Sequence, residues 1–119
     1  MADTSATPTT PIRPEMQTCI DVCLDCARLC EETLTQCLQM GGPHADPRHM
    51  TLLRDCIVIC DASARFMLHG SELHDRTCAV CAEVCDACAA SCDALGDEME
   101  ACAHACRACA DSCRRLARD

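Results

Sequence analysis

Residues 78–92 read CAVCAEVCDACAASC, with cysteines at 78, 81, 85, 88 and 92, spaced three, four, three and four apart. That alternation is the seam of an α-helix packed in a bundle, where the a and d positions of a heptad share one face. Cysteine, usually sparse, here forms an unbroken stripe. The stripe decides the fold because the same spacing recurs along the chain.

Upstream, Met16, Cys19, Cys23, Cys26, Cys30, Thr33, Cys37 and Met40 keep the register until GGPHADP stops it. Asp46 is placed to cap a second helix with Pro47 at its first position. The stripe of that helix is His49, Leu53, Cys56, Cys60, Ser63 and Met67, ending at Gly70. Ser71 is read as the cap of the third helix, whose stripe runs His74, Cys78, Cys81, Cys85, Cys88, Cys92 and Leu95. After Gly96, Asp97 with Glu100 resembles a capping box. The fourth stripe is Met99, Cys102, Cys106, Cys109, Cys113 and Leu116.

Four helices over about 15–41, 47–69, 72–95 and 98–117, joined by short turns, predict an all-α, antiparallel up-down-up-down four-helix bundle with a cysteine-lined core. Residues 1–14, rich in Pro and Thr, are expected to form a flexible tail ahead of a bundle over 15–119. Small flanking residues (Ala82, Ala89, Ala103, Ala105, Ala110) let helices approach closely, while Asp21, Asp25, Glu31, Asp86, Asp93, Arg107, Asp111 and Arg114 mark solvated faces. TLLRDCIVIC in the second helix is apolar nearly all round, with Val58 facing away from the channel. This predicts a homo-oligomer.

Composition narrows the chemistry. The 119 residues include 16 Cys, one Phe and no Trp or Tyr. Large side chains are too few to fill a core, so sulfur must occupy its middle. Small residues there predict a channel underfilled unless something occupies it. The opening MADTSATPTTPIRPEM has neither the basic nor the apolar region of a signal peptide. No stretch is long and apolar enough for a transmembrane helix. The expected setting is therefore the reducing cytoplasm, where many cysteines signify metal binding or catalysis rather than bridges. A net charge of −9, without lysine, argues against nucleic acid and membrane partners.

Disulfides along a ladder are excluded by span. Residues three or four apart on a helix have Cβ atoms ~5–6 Å apart, whereas a disulfide requires ~3.8 Å. A metal bridging two thiolates at ~2.3 Å each spans about 4.5 Å, which an i,i+4 pair can reach. Such pairs are Cys19/Cys23, Cys26/Cys30, Cys56/Cys60, Cys81/Cys85, Cys88/Cys92, Cys102/Cys106 and Cys109/Cys113, leaving Cys37 and Cys78 within reach of neighbouring rungs. Sixteen bare thiolates in an apolar channel would be prohibitively destabilising, so loading must exchange protons for cations. A divalent ion in a four-cysteine site leaves two negative charges. A soft univalent ion leaves none, and thiolate selects Cu(I). All sixteen cysteines are thus candidate ligands for multiple Cu(I) ions.

These ladders resemble the copper storage proteins, four-helix bundles whose cysteine-lined cores bind many Cu(I) ions, and the lack of an export signal is similar to their cytosolic branch. The resemblance covers about residues 16–117. It implies reversible Cu(I) storage and a tetramer of bundles. Copper ions are the expected partner, with a copper chaperone or a small thiol as donor or acceptor. The second helix departs from the pattern by carrying only Cys56 and Cys60.

The bundle's connectivity also brings the end of the first helix beside the starts of the second and fourth. Met40, His49 and Met99 are therefore expected at one mouth, near His44 and Met50, as soft donors that hand Cu(I) inward. Met16, Met67, His74 and Leu116 gather at the other mouth. His104 is expected on an outer face and His69 exposed. No Ser/His/Asp arrangement, phosphate loop or exposed activated cysteine suggests an enzyme. The alternatives are a zinc or cadmium thiolate buffer with four-cysteine sites, an iron–sulfur protein, a disulfide-linked bundle, and a structural bundle without metal.

Overall fold

A computed structural model describes residues 12–118, and four helices account for most of them. Helix α1 spans Pro14–Met40, α2 Pro47–Leu68, α3 His74–Asp93 and α4 Glu100–Arg118. Each helix packs on its two neighbours in chain order, and α4 closes the ring against α1. Residues 1–11, most of the expected tail, lie outside the described residues.

The helix ends follow from local chemistry. Pro14 begins α1, one residue inside the expected tail, because its fixed φ and missing N–H suit a first helical position. Gly41 stops α1 with a φ of 68°, and its N–H donates to the Cys37 carbonyl. The Asp46 carboxylate accepts from the N–H groups of Arg48 (3.1 Å) and His49 (3.3 Å), with Pro47 at the first position of α2.

Two junctions differ from the sequence reading. Ser71 does not cap α3 directly. Its Oγ accepts from the Leu73 N–H at 3.1 Å, and His74 Nδ1 lies 2.9 Å from its carbonyl. That local turn holds residues 72–73 outside the helix, which starts at His74. Nor does Asp97 form a capping box with Glu100. Asp97–Met99 form a 3-10 turn without a side-chain cap, and α4 starts at Glu100. Between the two residues of that expected box, Glu98 is drawn instead to His44, 2.7 Å away.

All sixteen cysteines are buried, none more than 2% exposed. Ile20, Leu53, Met67, Met99 and Leu116 supply the larger buried side chains. Ala82, Ala89, Ala103 and Ala110 are also buried, consistent with the close α3–α4 packing. Across the outside of that pair run Arg114–Asp86 (2.5 Å) and Arg107–Asp93. These ion pairs are exposed, so they add little to stability. Sulfurs from facing helices touch at 3.6–3.9 Å. The ladders thus meet one another across the channel.

The Asp46 cap yields a direct test. Asp46→Ala should destabilise the protein by about 1 kcal/mol, leaving two N–H groups of α2 without their acceptor. Chemical denaturation checks this, and an unchanged midpoint would contradict the capping role.

Candidate metal centre

Heptad spacing turns each ladder inward, and antiparallel packing sets which rungs meet. Cys26 Sγ lies 4.0 Å from Cys30 on its own helix, 3.8 Å from Cys56 on α2 and 3.8 Å from Cys106 on α4. Cys30–Cys106 (3.7 Å) and Cys56–Cys106 (3.9 Å) complete five of the six edges of a near-regular tetrahedron of sulfur. Deeper along α2, Cys60 stands 3.6 Å from Cys85, 3.7 Å from Cys81 and 3.7 Å from Cys109.

Such groups continue along the channel. From the mouth at the end of α1 inward they are Cys30/Cys88/Cys102/Cys106, Cys26/Cys30/Cys56/Cys106, Cys26/Cys60/Cys85/Cys109, Cys23/Cys81/Cys109/Cys113 and Cys19/Cys78/Cys113. Within each, the sulfurs lie within 4.8 Å of one another. Successive groups share sulfurs, so the channel is one continuous donor array rather than a row of separate sites.

Cys37 and Cys92 stand outside these groups. Cys92 follows Cys88 by one turn on the stripe of α3, and its thiol is pushed up, first through Cys102 and then through Cys88, both members of the outermost group. Cys37 sits at the mouth, 3.5 Å from His49 Nε2 and 3.6 Å from Met99 Sδ. His49 and Met99 are 3% and 1% exposed. Ser91 Oγ holds His49 Nδ1 at 2.7 Å and thereby aims Nε2 at the sulfur. Met40 does not join them. It is 47% exposed on the last turn of α1, one turn beyond Cys37. His104 and His69 are exposed, as expected from register. At the other end Met67 and Leu116 are buried and Met16 and His74 half-buried.

The environment sets the protons. Burial, then the neighbouring Cys102, pushes the Cys37 thiol above its ordinary value of 9.0. Cys78 is pushed up to about 12; the Cys113 hydrogen bond pulls it down, but the Cys19 hydrogen bond and burial prevail. Within the ladder, Cys106 holds Cys26 and Cys102 down. Cys106 is itself raised, first through Cys102. A thiol that loses its proton is therefore supported by neighbours that keep theirs. Burial lowers His49, which favours the neutral imidazole, the form whose ring nitrogen can ligate a metal.

Fold and site together define a metal-thiolate bundle, a four-helix protein whose core is a soft-donor array. The chain belongs to the copper storage protein family, whose sequence profile matches residues 12–118. It is 35% identical over 68 residues to the uncharacterised cysteine-rich protein YhjQ of Bacillus subtilis (strain 168), covering 57% of this chain. The chain spans 63% of the length of that curated relative. Among solved structures, a protein of Nitrosospira multiformis superimposes with a TM-score of 0.85 at 45% identity, covering 87% of this chain and 95% of that one. Cu(I)-bound copper storage protein BsCsp3 does so at 0.81 and 35% identity, over 87% of this chain and 98% of that one. Metal-free Csp3 of Bacillus subtilis gives 0.78 at 34% identity, over 85% and 97%.

The raised thiols make ion binding proton-linked. A thiophilic cation taken up at Cys37 or Cys78 displaces a proton that the folded chain holds at pH 7. Affinity should therefore fall as pH falls, by about tenfold per unit for each proton released. Anaerobic titration in weak buffer with a pH indicator reads this release, and silent binding would contradict it.

Proposed function

We propose that the chain stores and sequesters multiple Cu(I) ions on thiolates lining the bundle core. The observation that carries this reading is the overlap of the sulfur groups. Fourteen cysteines form five clusters that share Cys26, Cys30, Cys106, Cys109 and Cys113. Shared thiolates let univalent ions accumulate at up to one per sulfur while charge in the dry channel cancels. All sixteen cysteines serve as ligands in this reading, with Cys92 extending the outermost group.

Cys37, His49 and Met99 form the mouth through which Cu(I) passes. Their sulfur, nitrogen and thioether donors suit a soft ion in transit, and Ser91 keeps the imidazole pointed at it. Met40, on the outer side of the same mouth, is a collecting residue. Met67 and Leu116 make the opposite end an apolar plug. Storage requires a donor and an acceptor, and a copper chaperone or a small thiol fits both. Sixteen free cysteines support a reducing compartment, hence the cytoplasm. No helix among the described residues is long and apolar enough to cross a membrane. Val58, 67% exposed on the outer face of α2, supports assembly with further copies of the chain, a tetramer in this reading.

A second reading, a zinc or cadmium buffer, is favoured by one observation. Sulfur edges of 3.7–4.0 Å around Cys26, Cys30, Cys56 and Cys106 match the edge of about 3.8 Å expected of tetrahedral zinc. Charge decides against it, because each such site keeps two buried negative charges.

Anaerobic titration of the reduced protein with Cu(I) and with Zn(II), counting metal and free thiols, separates the two. Storage gives many Cu(I) per chain with loss of thiol reactivity. Saturation with a few Zn(II), unmoved by Cu(I), defeats it. Replacing both Cys85 and Cys88 with Ser should lower Cu(I) capacity and leave helical circular dichroism intact, since each removes one sulfur from a group. Undiminished capacity would count against a core of shared thiolates.

A further inference from the structure

The channel stripe of α2 carries one side chain whose chemistry the thiol array leaves unexplained. Ser63 lies between Cys60 and Met67 on that face and is 0% exposed. Its Oγ has no hydrogen-bond partner, the only such buried side-chain oxygen or nitrogen among the described residues. A helical serine ordinarily returns its hydroxyl to the carbonyl four residues earlier. Thr33, the hydroxyl on the corresponding stripe of α1, does so, donating to the Leu29 carbonyl at 2.8 Å. A buried hydroxyl without an acceptor is destabilising, and an acceptor present in another state of the protein would account for it.

Antiparallel packing identifies that acceptor. Cys60 faces Cys81 and Cys85 of α3 and Cys109 of α4. One turn farther along α2, the antiparallel α3 offers Cys78, the parallel α4 offers Cys113, and α1 offers Cys19. These three sulfurs lie within 4.8 Å of one another and form the group farthest from the His49 mouth. Three helices bring a sulfur to this layer, and by heptad register the fourth brings Ser63, whose hydroxyl makes no hydrogen bond to them in the empty chain.

We propose that Ser63 is a positioning residue for this innermost site, donating its hydroxyl proton to the Cys19, Cys78 or Cys113 sulfur once that sulfur is a metal-bound thiolate. A neutral thiol is a weak acceptor, whereas a thiolate accepts strongly, so the bond forms on loading. The hydroxyl stays protonated throughout; the cation displaces a thiol proton, not the serine's. The hydroxyl thus disfavours the empty layer, favours the filled one, and sharpens the difference between them. The proposal rests on the Cu(I) storage reading.

The experiment compares the native chain with Ser63→Ala and Ser63→Thr, each melted empty and Cu(I)-loaded, with Cu(I) withdrawn by a competing chelator. The native chain run in parallel tests storage itself; if it takes up no Cu(I), that reading falls and this proposal falls with it. With native uptake intact, Ser63→Ala should melt no lower than native when empty. When loaded it should melt lower, and it should release one class of ions about tenfold more readily, the loss expected for one charge-assisted hydrogen bond. Ser63→Thr, which keeps the hydroxyl, should retain native-like release. A Ser63→Ala release curve that matches native overturns the proposal. So does an empty-state loss equal to the loaded-state loss, because serine would then be only a small packing residue.

Discussion

A negative charge cannot remain in a dry helical core without a positive one beside it, and the arrangement of this protein follows from that constraint. Sixteen sulfurs are collected where solvent cannot reach them. In such a place burial favours the protonated thiol, and a soft cation can take the proton's place. The raised Cys37 and Cys78 thiols express this in the empty chain. Proton and soft cation are alternative occupants of one electrostatic role. The Asp46 cap and the alanine contacts between α3 and α4 lie outside the array, so neither depends on which occupant the sulfurs carry.

The fold was legible because cysteine here obeys a period that no local chemistry imposes. Alternating steps of three and four bring the stripes inward, and Gly41, Pro47, Gly70 and Gly96 punctuate them. What the spacing hid was the pairing between stripes. Intrahelical distances alone suggested separate i,i+4 pairs. The structure adds cross-helix contacts such as Cys26–Cys56 and Cys30–Cys102, whose register depends on where each helix starts. Those starts were the less readable part. Ser71 spends its hydroxyl on a local turn, and Glu98 reaches His44, so α3 and α4 begin two residues later than their polar residues suggested.

Only part of the mouth is legible in the sequence, for a similar reason. His49 and Met99 converge on Cys37, as heptad positions require. Met40 shares their stripe in sequence but lies on the final turn of α1, beyond the last layer that α2 and α4 can cover. It is left in solvent. The partner that fixes the imidazole, Ser91, gives no signal in sequence. It belongs to α3 and sits outside the cysteine stripe, so only the packed bundle brings its hydroxyl to Nδ1.

The overlap of the sulfur groups bears on why such an array holds many ions rather than a few. In isolated four-cysteine sites each sulfur serves one metal, and every site carries its excess charge into a medium that screens poorly. Sharing Cys26 between two groups, and Cys106 between two, lets one thiolate neutralise parts of two cations. Each added univalent ion then removes a proton and leaves net charge unchanged, so filling proceeds without mounting repulsion. A divalent ion in the same sulfurs leaves the ratio of charge wrong at every step unless thiols stay protonated around it. The geometry admits both ions. The charge balance of a closed channel is what separates them, and it does so more strongly the more completely water is excluded.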